Sequence, residues 1–186
     1  RQVWSSVCGY PGDFNYREFY RDIGYDLPMD YIRQYIHEPE IRVFTGFKYW
    51  AITGKTADKK LYDYDIAANK TMEHAKNFIY HVKSKGRSLE GLLESNPVYT
   101  LSFDAELFGH WWFEGIKWLE NVIRISAEDD DIRLISPSDY IDENHSIQTV
   151  TPAFSSWGEG GYSQVWVDSG SNAWICKYTT MAARRM

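Results

Sequence analysis

The sequence has little cysteine, no concentration of basic residues and no long apolar run, and each shortage removes a class of protein. Two cysteines among 186 residues, Cys8 and Cys176, cannot build a disulfide framework or a four-ligand zinc site, and free thiols are the simplest reading. No apolar stretch approaches the ~20 residues that a membrane helix needs. The N-terminal Arg1-Gln2-Val3-Trp4-Ser5-Ser6 lacks the basic-then-apolar pattern of a secretory leader, so cytoplasm is the expected location and no membrane partner is expected. The net charge is -6 and no basic stripe is visible, which argues against nucleic acid as a partner. Five histidines, His37, His74, His81, His110 and His145, show no HxxxH or HExxH spacing, which disfavours zinc hydrolase or deacetylase chemistry; no metal and no cofactor are expected.

What the sequence has in abundance is aromatic surface. Eight Trp, fourteen Tyr and nine Phe make up 17% of the chain. Rings of this kind fill cores, but they also stack on flat apolar faces such as those of sugar rings. An acidic, aromatic domain suits a neutral polyhydroxylated ligand better than a polyanion. The acidic run Glu128-Asp129-Asp130-Asp131 reads as a solvated helix end or loop.

Residues 1–30 are turn-rich, with Gly9-Tyr10-Pro11-Gly12-Asp13 as a loop signal, and 30–36 can form a short helix. Residues 41–52 read as one or two strands broken near Gly46. Apolar positions Ile66, Met72, Ala75, Phe78, Ile79 and Val82 predict a helix over 66–85, with a second short helix over 88–94 capped by Ser88. The apolar run 98–103 predicts a buried strand, 118–125 lies within an amphipathic helix, and 132–135 predicts another strand. Ser136-Pro137 opens a short helix, and Gly158 to Gly161 forms a loop before a last helix. Alternating strands and helices imply an α/β fold with a parallel sheet. The last helical stretch, 173–186, has no Gly or Asn stop signal, so more chain is expected to follow.

Asp104 directly follows the predicted strand 98–103, where α/β barrels place catalytic groups. His110, Trp111 and Trp112 stand nearby, and such walls would desolvate the carboxyl and favour its acid form. A group of this kind can protonate a leaving oxygen and later deprotonate an incoming hydroxyl. Capping the following helix is its alternative role. Glu106 and Glu114 are further carboxylates that could support His110 or Trp111, or simply favour a helix start. His74 and His81 read as structural or surface residues.

The run Phe103-Asp104-Ala105-Glu106-Leu107-Phe108-Gly109-His110-Trp111-Trp112-Phe113-Glu114-Gly115 closely resembles a conserved region of glycoside hydrolase family 57. Ser155-Ser156-Trp157-Gly158-Glu159-Gly160-Gly161-Tyr162, with Val165-Trp166, resembles the region that follows it. Val3-Trp4-Ser5, the Gly9–Asp13 loop, the run Tyr16 to Asp22 and the run Phe44 to Lys48 resemble the branching-enzyme group of that family. The resemblance implies the later strands of an incomplete seven-stranded (β/α) barrel over 1–168, running into the start of a C-terminal helical region over 169–186. It implies a retaining 1,4-α-glucan branching enzyme of glycogen biosynthesis, with α-amylase-type hydrolysis or a non-catalytic glucan-binding remnant as alternatives. By the same resemblance Asp104 would be the general acid/base, and Trp4, Gly12, His110, Trp157 and Trp166 would contact an α-glucan. The family's nucleophilic Glu belongs to a region preceding anything that matches this chain. A missing N-terminal part of the same polypeptide is therefore the expected partner, and the chain alone is expected to be inactive. One departure is Ala153-Phe154, where an acid would be expected nearer the Ser-Ser-Trp-Gly motif.

Overall fold

The computed structural model describes the chain apart from residues 1, 39, 94–95, 145–146, 159, 165 and 167–171. It divides into two compact units, residues 1–135 and 136–186.

The first unit begins with a 3-10 turn, Tyr10–Gly12, followed by short helices α1 (Ile23–Asp26) and α2 (Met29–Ile32), the latter continuing as a 3-10 turn over Arg33–Tyr35. The Asp22 side chain caps α1 and is fully buried. It accepts hydrogen bonds from the Gly24, Thr45 and Gly46 amides and from the Thr45 hydroxyl. Burial works to raise its carboxyl, but these donors hold it below the ordinary Asp value.

The predicted strand 41–52 forms only isolated antiparallel bridges. Glu18 N–H donates to Trp50 O at 2.8 Å and Ile52 N–H to Tyr16 O at 2.8 Å. On the other side Ala51 N–H meets Lys60 O and Tyr62 N–H meets Tyr49 O, each at 2.9 Å. Stretches 14–18, 49–53 and 60–62 thus make a narrow antiparallel ribbon rather than part of a parallel sheet.

Two long helices carry the core. Helix α3 (Tyr64–Arg87) starts where Asp63 accepts from Ile66 N–H at 3.0 Å. Its buried stripe is Ala67, Thr71, Ala75 and Ile79, spaced by four residues, while Ile66 is exposed. Small residues on that stripe let α4 (Gly115–Ala127) approach closely. Asn121 of α4 donates to Thr71 Oγ1 at 2.9 Å, which satisfies two buried polar groups with one bond. Trp118 and Trp112 sit fully buried beside Phe78 and Phe108. At the far end Lys83 pairs with Asp129 and Asp131, tying the acidic run to α3 at 2.8 and 2.7 Å.

The second predicted helix, 88–94, is absent over its described part. Ser88 instead ends α3, its hydroxyl donating to Lys85 O at 2.7 Å, and turns follow to Leu93. Neither 98–103 nor 132–135 forms a strand; both run without regular secondary structure or a ladder. Val98, Leu101 and Leu134 are about half exposed, while Phe103 and Ile132 rest against the core. An apolar extended run becomes a buried strand only when neighbours pair with its amides on both edges. No described residue of this unit does so, and the parallel sheet expected from sequence is not formed within the described residues.

The second unit holds α5 (Pro137–Glu143) and α6 (Ala173–Arg185). Ser136 caps α5 by accepting from Asp139 N–H, with Pro137 in the first turn. Between them the 156–163 loop closes on itself: Ser156 N–H donates to Gly161 O and Ser163 N–H to Ser156 Oγ, both at 2.6 Å. The expected boundary at 168/169 lies outside the described residues, as do His145, Glu159, Val165 and Asp168. Among the described residues no helix is long and apolar enough to cross a membrane, and no cluster of His, Cys, Asp or Glu could hold a metal ion.

Candidate active site

Asp104, itself extended, stands where the irregular run 98–103 meets the 3-10 turn Ala105–Leu107. It occupies the cap position, yet its side chain makes no cap hydrogen bond and the residue is exposed. The capping alternative is therefore not realised, and the desolvating wall expected from sequence is not in place around it. The loop beyond is tied down by backbone bonds and a close approach. Gly109 has a φ of +92°, and a Cβ there would meet Ile116 Cδ1 at 2.7 Å. Gly109 N–H donates to Trp112 O at 2.8 Å, Trp112 N–H to Leu107 O at 2.9 Å and Trp111 N–H to Glu106 O at 3.0 Å. Buried Leu107 and Trp112 anchor this loop while His110 and Trp111 face outward.

Trp4 is brought to this place from the N-terminal segment. Its ring lies 6.3 Å from Phe103, the residue before Asp104, and 6.5 Å from Trp111. Trp4, Asp104 and His110 are thus gathered within one unit by chain connectivity and ring contacts. Trp157 and Trp166 are exposed on the second unit.

Gly12 lies elsewhere on the first unit. A Cβ on Gly12 would fall 2.3 Å from Ser6 O, and one on Gly9 the same distance from Gln2 O. What these glycines admit is the protein's own backbone. Gly12 also lines an open cavity of 490 Å³ with Asp13, Asn15, Tyr10 and His74, a cavity not lined by Asp104 or Trp4. His74 ties this loop to α3: its Nδ1 lies 2.8 Å from Tyr16 Oη, its Nε2 3.6 Å from Asp13 Oδ2, and Tyr10 stacks on its ring at 4.6 Å. Burial pushes His74 below the ordinary histidine value, against the pull of Asp13. It pushes Tyr10 up to about 12.

Glu114 proves to be an interior group, not a companion of Asp104. It is buried at the start of α4 and accepts from Arg17 N–H at 2.9 Å. Burial raises its carboxyl, opposed by the Arg17 amide. Its Oε2 and the nearby Tyr62 hydroxyl make no hydrogen bond of regular geometry, and burial drives Tyr62 upward too. The only hint in sequence was an acid at a helix start; nothing local showed that the 14–18 stretch would fold over it. Glu106, by contrast, is exposed and engages Trp111 through its backbone.

A solved structure of the α-amylase AmyC from Thermotoga maritima matches the whole of this chain at 42% identity with a TM-score of 0.85. The GH57-type branching enzyme of Pyrococcus horikoshii matches 89% of it at 34% identity and a TM-score of 0.73. In sequence, a 1,4-alpha-glucan branching enzyme of Thermococcus kodakarensis is 32% identical over the full chain. The chain is related to glycoside hydrolase family 57. A probable 1,4-alpha-glucan branching enzyme of Mycobacterium tuberculosis is also 32% identical, over 89% of it. No protein-family model matches the chain. The chain spans 25 and 28% of those two sequence relatives, and 34 and 28% of the two solved chains.

Proposed function

We propose that the chain carries the acid/base segment of a retaining α-glucan enzyme, with 1,4-α-glucan branching as its reaction. The observation that supports this most is Asp104: an exposed carboxylate with no cap bond, next in the chain to Phe103, whose ring Trp4 meets, and within the family-57 motif. Its carboxylic acid would protonate the glycosidic oxygen as the C1–O bond breaks and a second carboxylate bonds to C1. The resulting Asp104 carboxylate would then take the proton from an incoming glucan hydroxyl, which displaces the enzyme carboxylate and leaves the anomeric configuration retained. The second carboxylate has no counterpart in a matching motif of this chain and would come from outside it. Trp4, His110, Trp157 and Trp166 would contact the glucan, and Gly12 would meet it only away from Asp104 and Trp4, whose place it does not share. Residues 1–168 would belong to the barrel domain and 169–186 to the helical region after it. No cofactor is called for, and the cytoplasm is where such a polymer would be met.

Hydrolysis is the second reading, supported by the amylase neighbour's higher identity and TM-score. In that case water replaces the glucan hydroxyl as acceptor. Amylose treated with the protein that carries this sequence separates the two. Branching lowers iodine colour with few new reducing ends, whereas hydrolysis releases many. Binding of amylose without either change would leave a glucan-binding protein and refute both catalytic readings.

A further inference from the structure

We propose that Phe19 and Tyr20 form an outer α-glucan subsite, a stacking platform that continues the Asp104 site along a row of aromatic rings. The proposal rests on the α-glucan reading above. From Phe103 the row passes to Trp4 at 6.3 Å, Trp111 at 6.5 Å, His110 at 6.2 Å, Phe19 at 5.7 Å and Tyr20 at 5.2 Å between centroids. It leaves the core as it goes: His110 and Trp111 are exposed, Phe19 is half-buried and Tyr20 is 79% exposed. Many aromatics on this chain are exposed, so exposure alone assigns nothing. What sets this row apart is its ring-to-ring continuity with the residue preceding Asp104; Tyr31 and Tyr35, also exposed, pair with each other.

The platform is also held still. Lys48 Nζ donates to the Phe19 and Arg21 carbonyls and lies 5.6 Å from the Phe19 ring centroid. Glu18 Oε1 accepts from Tyr20 N–H at 3.1 Å, and its other oxygen pairs with Lys59 at 3.0 Å. A ring on a fixed base loses little entropy when a ligand settles on it. A glucose ring offers an apolar C–H face to the aromatic and hydroxyls to its rim, and Tyr can serve both. The net charge of -6 suits a neutral chain rather than a phosphate polymer.

The test measures binding of maltotriose and maltoheptaose by calorimetry, in the protein that carries this sequence, with circular dichroism as the fold control. Tyr20→Ala should weaken maltoheptaose about three- to ten-fold, the scale of one lost ring contact, and leave maltotriose unchanged. Tyr20→Phe should bind both as the parent does. If Tyr20→Ala fails to fold, Tyr20→Gln takes its place. Unchanged maltoheptaose binding in the folded variant overturns the subsite alone, as does an equal loss for both sugars. A parent protein that binds neither sugar overturns the α-glucan reading and the subsite with it.

Discussion

Helices α4 and α6 are each 13 residues long and each amphipathic, yet α4 buries Trp118, Asn121, Val122 and Ser126 while α6 buries nothing. On α6, Trp174, Tyr178 and Met181 repeat at helical spacing and remain 63, 60 and 42% exposed. Periodicity is enough to make both helices; α4 buries its stripe against the Ala67–Thr71–Ala75–Ile79 stripe of α3, whereas no described residue of α6 is buried. The non-helical segments show the same split. Residues 49–52 are held by backbone bonds on two sides, whereas 98–103 leaves half-exposed apolar side chains. Local sequence decides conformation, and burial depends on what faces it.

Trp118→Ala should sharpen this contrast most. It empties the space between Phe78, Phe108 and Trp112 and should cost about 3–5 kcal/mol in denaturant unfolding of the parent fold. The same truncation on the other helix, Trp174→Ala, should stay within about 0.5 kcal/mol, as expected of an exposed site. A large loss there would mean that α6 packs against something substantial.

Two titratable groups, buried Glu114 and half-buried His74, make intermediate predictions of opposite sign. Glu114 has a folded value raised by burial, so the folded chain holds its proton longer than the unfolded chain. Stability should fall as pH rises from the ordinary Glu range through the raised value, and Glu114→Gln should remove that slope. His74 has a folded value lowered from 6.5, so the unfolded chain binds the proton first as pH falls. Its contribution should be complete above 6.5 and lost as pH drops through the lowered value; melting curves of His74→Gln should lack this dependence.

Much of the helical content was legible in the sequence. Ser136 and Pro137 open α5 as expected, and the apolar period located α3 and α4, while the Asp63 cap that starts α3 two residues before the expected 66 was not anticipated. Within α3 the small residues Ala67 and Thr71, which hydropathy passes over, turned out to face α4 more closely than Ile66. The strands were not legible, because a run such as 98–103 carries the composition of a strand without any record of its neighbours. The site was half legible. The place of Asp104 just before the 3-10 turn could be read along the chain, whereas the ring wall expected around it is not in place. Its exposure, the interior role of Glu114 and the Asp13–His74–Tyr16 link did not, since each depends on contacts between distant segments.

The acid/base assignment of Asp104 is tested most directly by chemical rescue of Asp104→Ala in the protein that carries this sequence. Activity on amylose should fall about 10²- to 10⁴-fold. Turnover of an aryl maltooligosaccharide, whose leaving group departs without a proton, should be restored by added azide as a glycosyl azide. Undiminished activity on amylose, or a loss that azide leaves untouched on the aryl substrate, would contradict the assignment.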